Sequence, residues 1–244
     1  MCPKGYTCLK RRRARRRRVR GHGAASVTGL CNSRSVTPTL TPRERAAIIV
    51  KRDRAFKKVI SEGGPAPSRR SAPVDDRFSY LARSITYQLL ATKAANTIHQ
   101  RVIDLCEGSV NPESINAAGH ANLRGAGLSN AKAAAMLDLA ERSLDGRIRL
   151  AHHGRMKDDD VLVDVVAVRG IGPWTAQMYL MHTLARHDVW PAGDLGVRHG
   201  WSLIHGLDEM ISERDLRGEG DRFLGVRSDV AWYCWQAVHL SRGQ

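Results

Sequence analysis

The sequence predicts an all-α protein, and three observations carry that prediction. Apolar residues recur at helical spacing in one segment after another. β alternation and hairpin signals are nearly absent. Helix-start signals (acidic residues, Asn-Pro and Gly-Pro) precede the apolar runs. Of the 244 residues, 42% are hydrophobic, enough to fill a core. The expected body holds roughly eight to ten helices.

The elements follow in order. Residues 35–43 read as a linker, and Glu44 to Ser61 as a helix stopped by Gly63-Gly64-Pro65. After a Pro/Ser-rich loop, Asp75 or Asp76 caps a helix with Phe78, Leu81, Ile85, Leu89 and Leu90 on one stripe. Thr92 to Cys106 continues or restarts it. Asn111-Pro112-Glu113 opens a short helix, Leu123 to Leu128 is a turn with two glycines, and Ser129 to Leu144 is again helical. Val161 to Val168 is ambiguous: its β-branched residues suit a buried strand, and its leader Asp158-Asp159-Asp160 suits a helix N-terminus. Pro173 sits where a first helical residue would, and Trp174 to His187 follows as a helix. Asp194 heads another, and Ser228 to Leu240 closes the chain.

Charge divides the chain. There are 39 Lys+Arg against 24 Asp+Glu, a formal net charge of +15. Residues 1–41 carry eleven of the bases and no acid. Residues 1–43 are therefore read as a disordered Arg-rich tail, and 44–244 as the folded domain. The tail fits a nonspecific arm for DNA phosphates, a targeting segment, or an upstream start site. Five scattered cysteines without a CxxC pair argue against a zinc ribbon, a disulfide scaffold and a four-cysteine iron–sulfur loop. No apolar run approaches the ~20 residues of a bilayer span, so no membrane role is expected. The ten histidines show no HExxH spacing, and His152-His153 and His182/His187 read as surface or helix-face residues.

Two stretches carry chemical information. In Val168-Arg169-Gly170-Ile171-Gly172-Pro173-Trp174-Thr175-Ala176, two glycines allow a tight turn straight into a helix whose first amides point outward. Such a turn is an anion site suited to a DNA phosphate, or simply a helix–helix turn packed by Ile171. Twenty-two residues after Gly172, a Pro/Gly loop delivers Asp194 to a helix head. Alone, Asp194 is an ordinary N-cap.

Together these stretches resemble the helix-hairpin-helix DNA glycosylases with a Gly/Pro-rich loop and aspartate, and most closely the DNA-3-methyladenine glycosylase II branch. Ser84 to Ala91, Leu123 to Lys132, and Arg227-Ser228 with Ala231 to Trp235 extend the resemblance over about residues 45–240. It implies two helical lobes with a DNA-facing cleft, and a nucleotide flipped out of double-stranded DNA. Asp194 would be the catalytic carboxylate. Trp174 stands where bifunctional relatives carry a lysine, which implies glycosylase without lyase activity. Trp174 and Trp235, with Tyr87, Met178 and Tyr233, match base-pocket positions, where aromatic faces suit a cationic alkylated purine. Leu89 would be the wedge that fills the gap, with Gln88 beside it and Leu90 as fallback. Gly170, Ile171, Gly172, Thr175 and Lys132 would contact DNA. The backbone carbonyls of Val166, Val168 and Gly170 would hold a monovalent cation, Na⁺ or K⁺, and no other cofactor is expected. The implied partner is DNA with alkylated bases, bound by a monomer in the bacterial cytoplasm (nucleoid) or a eukaryotic nucleus or organelle. A non-catalytic DNA-binding module and a glycosylase for another damaged base remain the alternatives.

Overall fold

The computed structural model describes residues 40–243. Residues 1–39 of the expected Arg-rich tail lie outside the described residues, while Pro42 and Arg43 already belong to the first helix. Among those residues the protein is all-helical, without strands. Eleven α-helices follow one another: α1 (Pro42–Arg52), α2 (Lys57–Gly63), α3 (Asp76–Tyr87), α4 (Thr92–Leu105), α5 (Pro112–Gly125), α6 (Asn130–Leu144), α7 (Asp158–Val166), α8 (Pro173–Met178), α9 (Leu195–His205), α10 (Glu213–Glu219) and α11 (Arg227–Ser241).

Local chemistry sets most boundaries. Thr41 and Glu44 form a reciprocal capping box that starts α1 at Pro42, two residues before the expected Glu44. Asn111 and Ser114 do the same for α5, and Ser129 and Asp194 cap α6 and α9 with their side chains. The single helix expected over 44–61 is broken. Asp53 is extended, and its carboxylate accepts from Ala55 N, which restarts the chain in a short 3₁₀ turn at Arg54–Phe56. The Val161–Val168 ambiguity resolves as helix: the three aspartates occupy the first turn of α7, where the dipole favours them. The helix expected to reach His187 stops early, because α8 widens into a π turn over Tyr179–Thr183 and Ala185 turns left-handed.

The chain builds two lobes. α1, α2, α9 and α11 pack together, while α3 to α8 form the other group, with α5 on α6 and α3 on α4 and α6. Phe56 packs edge-on against Trp201 and Phe223 in the first lobe. Ile115, Leu123, Leu128, Met136 and Leu139 are fully buried in the second. A buried carboxylate, Asp229 of α11, receives Arg45 at 2.6 Å and Arg69 at 2.8 Å, tying α1 and the 65–75 loop to the last helix. All three side chains are at most 8% exposed, so losing either arginine leaves a buried charge uncompensated.

Candidate active site

The hairpin between α7 and α8 is set by Gly170, whose φ of 74° favours glycine. A Cβ there would also meet the Ala135 side chain of α6 at 3.3 Å. From the same helix, Asp138 accepts from Arg169 N at 2.7 Å. Ile171 and Thr175 are buried, so they anchor the hairpin and do not present side chains to a ligand. No side chain caps the first turn of α8, leaving its amides facing outward. The Val168 carbonyl accepts from Ile171 N, and the Gly170 carbonyl from Gln88 Nε2 at 3.0 Å. Each keeps a second lone pair, and both lie beyond the electronegative end of α7, so the donors present fit a monovalent cation.

The Pro/Gly loop that presents Asp194 is fastened to α11. Arg227 grips Asp188 through two nitrogens, at 2.7 and 2.9 Å. Ser228 accepts from Val189 N and donates to the Arg186 carbonyl. The Arg227-Ser228 pair thus positions the loop. Asp194 then caps α9, its Oδ1 accepting from Val197 N at 2.8 Å. The same oxygen accepts from Trp235 Nε1 at 2.8 Å, and Oδ2 accepts from Trp174 Nε1 at 2.6 Å. Asp194 is 9% exposed, so three charge-assisted bonds hold a carboxylate in a largely dry place. Trp174, half exposed, covers it.

Two glycines make this possible. A Cβ on Gly200 would lie 1.9 Å from the Cys234 carbonyl oxygen, so only glycine lets α9 and α11 cross this closely. A Cβ on Gly196 would lie 2.9 Å from Trp235 Cδ1, so its absence seats the indole beside Asp194. Their spacing of four within one helix was the available sequence signal.

A cavity of about 470 Å³ lies nearby, lined by residues including Tyr80, Arg83, His99, Ile103, His182 and Thr183. His182 opens into it and stacks on Trp235, ring centroids 6.1 Å apart and planes 26° from parallel. His182, read as a plain helix-face residue, thus joins the cavity to the carboxylate through one indole. His182 is itself solvent-exposed at the cavity, and the protein walls crowding its ring, with a contribution from Arg69, lower its pKa to about 4. His99 is likewise lowered to about 4, by burial and Arg83. His153 is fully buried and bridges Tyr179 and Asp164, correcting its reading as a surface residue.

The other expected residues divide. Met178 is 8% exposed, and its carbonyl accepts from Tyr80. Tyr87 bonds Asn96 and lies under Arg83. Tyr233 is fully buried and accepts from Ala66 N, so it is core and offers no face to a base. Leu89 is wholly exposed, with a left-handed φ of 54°, and Leu90 is 39% exposed; the apolar stripe of α3 therefore ends before either. Lys132 does not reach outward to a phosphate. Its ammonium donates to the carbonyls of Thr86 at 2.8 Å and Gln88 at 2.7 Å. Burial lowers its pKa below the usual lysine value. Among the described residues no cluster of His, Cys, Asp or Glu could hold a metal, and no helix is long and apolar enough to cross a membrane.

Comparison with known proteins agrees with this geometry. The chain is 27% identical over 192 residues to DNA-3-methyladenine glycosylase 1 of Schizosaccharomyces pombe, covering 78% of this chain and 84% of that one. The DNA-3-methyladenine glycosidase of Bacillus halodurans superposes with a TM-score of 0.74 at 28% identity, covering 82% and 91% of the two chains. The Schizosaccharomyces pombe 3-methyladenine DNA glycosylase, solved in complex with abasic DNA, superposes with a TM-score of 0.70 at 27% identity, covering 78% and 94%. Residues 82–223, more than half of the chain, match the HhH-GPD superfamily of base excision DNA repair proteins. The chain belongs to that superfamily and is, at the level of the family, a DNA glycosylase.

Proposed function

We propose that this protein is a monofunctional DNA glycosylase of the DNA-3-methyladenine glycosylase II type, releasing N-alkylated purines from double-stranded DNA. The observation that carries the reading is Asp194: a largely buried carboxylate held by two indole N–H groups and an amide, with one of those indoles stacked on a histidine of the neighbouring cavity.

The flipped base docks against Trp174 and Trp235 beside Asp194, with the His182 ring, stacked on Trp235, leading on to the cavity. An alkylated purine already carries positive charge, so its C1′–N bond breaks with the electron pair leaving on the base and needs little acid catalysis. Positive charge then develops on the sugar, where a fixed carboxylate stabilises it. Water adds to C1′ and its extra proton passes to solvent. No lysine stands at the hairpin position, which Trp174 occupies, and the ammonium of Lys132 is engaged by two carbonyls. Both features support hydrolysis without a Schiff base. A Na⁺ or K⁺ on the carbonyls of Val166, Val168 and Gly170 would add positive charge toward a DNA phosphate.

The test is release of free bases from methylated duplex DNA by wild type and Asp194→Asn. Wild type releases 3-methyladenine without strand cleavage. The variant loses at least about a hundredfold in rate while still binding DNA. Binding without release by the wild type would leave a non-catalytic module or another lesion, and strand scission without alkali would overturn the monofunctional assignment.

A further inference from the structure

The exposed wedge is an expensive feature. Leu89 forfeits burial of an apolar side chain and holds a left-handed backbone, a strained conformation for a non-glycine residue. Such a conformer persists only where its surroundings impose it. Two side chains do so here, both from outside α3. Gln88 Nε2 donates to the hairpin carbonyl of Gly170 at 3.0 Å. Lys132 Nζ donates to the carbonyls of Thr86, in the last turn of α3, and Gln88, its C-cap and the residue before Leu89.

The placement of Lys132 makes sense only across helices. It lies in the first turn of α6, where a cation opposes its own helix dipole. Its ammonium instead serves the last carbonyls of α3, the negative end of another dipole. Residues before Leu89 are thereby fixed from α6, and Gln88 is fixed from the hairpin.

We propose that Lys132 is a positioning residue for the DNA wedge: by gripping the Thr86 and Gln88 carbonyls it holds Leu89 projected toward the gap left by an extruded nucleotide. This rests on the reading that the protein extrudes a nucleotide. The clamp itself stands apart from that reading, so two measurements separate them.

The first needs no DNA. In Lys132→Met, amide hydrogen exchange across residues 88–91 rises about tenfold while the first turns of α3 keep their protection. Unchanged exchange at 88–91 overturns the clamp. The second compares binding to an intact duplex and to the same duplex carrying a stable abasic analogue opposite which the wedge can insert. Wild type prefers the gapped duplex. Leu89→Ala loses that preference, Lys132→Met loses about tenfold of it, and the double variant loses no more than Leu89→Ala alone. Equal loss of affinity for both duplexes would make Lys132 a fold or phosphate residue, and additive losses would uncouple it from Leu89. Either result overturns the proposal. If Lys132→Met does not fold, Lys132→Gln, which still donates to one carbonyl, carries both measurements with smaller changes. A wild type without preference for the gapped duplex counts against nucleotide extrusion, and the exchange experiment still decides the clamp.

Discussion

Asp194 and Leu89 sit on opposite lobes and are built on opposite plans. Asp194 is packed in: its oxygens meet two indoles and an amide, and its helix crosses α11 at the closest approach glycine permits. Leu89 is held out: fully exposed, left-handed, and fixed through the backbone and the Gln88 side chain that precede it. The difference follows from what each must do. A carboxylate stabilises developing charge only if its position is fixed before reaction and water is scarce. The proposed wedge must stand free of its own protein, so rigidity has to come from groups behind it. Packing should therefore govern stability and rate together at Asp194, whereas at Leu89 function should fall with stability unchanged.

The largest expected effect breaks the packed side. Gly200→Ala drives a methyl into the Cys234 carbonyl and forces α9 and α11 apart, costing about 3 kcal/mol. We expect the melting temperature to fall by roughly 10 °C and excision to fall with it. A melting curve superimposable on wild type would mean that the crossing is not close-packed in solution. A finer cut is Trp235→Phe, which keeps an aromatic face for His182 and deletes only the N–H to Asp194. Excision should drop about tenfold with little change in binding to duplex DNA. An unchanged rate would show that Trp174 and Val197 suffice to hold the carboxylate.

On the exposed side, Leu89→Gly relieves the left-handed strain and removes a side chain that packs on nothing. The melting temperature should stay within about 2 °C of wild type, because the relief offsets the added unfolded-state entropy. Affinity for gapped duplex should fall all the same. A marked loss of stability would reverse the contrast and make Leu89 part of the core.

The two plans also differ in how legible they are. The Gly-Ile-Gly turn, the capping of α5 and α6, and Asp194 at a helix head depend on residues a few positions apart, so local pattern exposes them. Trp235 reaches Asp194 from 41 residues away, and Lys132 reaches its two carbonyls from 46 and 44. Nothing local marks those partners. A lysine near a glycine turn reads as a phosphate contact, and it takes the folded chain to show the ammonium turned inward. Tyr233 fails for the same reason: its period places it on the last helix, and only packing decides which face of that helix sees the cleft. His153 looked like one of a pair of surface histidines because its partners, Asp164 and Tyr179, lie on other elements.

Protonation sharpens the comparison, because the lowered histidines His182 and His99 border the cavity. His182 and His99 have pKa values near 4 when folded, against an ordinary 6.5, chiefly because the surrounding protein displaces water from their rings. Above pH 6.5 neither folded nor unfolded chains bind these protons. Between 6.5 and 4 the unfolded chain takes them up and the folded one does not, so stability must fall as the pH drops through that window, and the loss is complete below 4. His153 and His187, also lowered by burial, act in the same direction. The melting temperature should thus decline steadily from pH 7 to 4.5. His182→Phe, which keeps a ring on Trp235 but cannot protonate, should flatten that decline without touching the wedge. A slope identical to wild type would mean that the exposed His182 ring keeps an ordinary pKa in solution and that His99, His153 and His187 carry the decline.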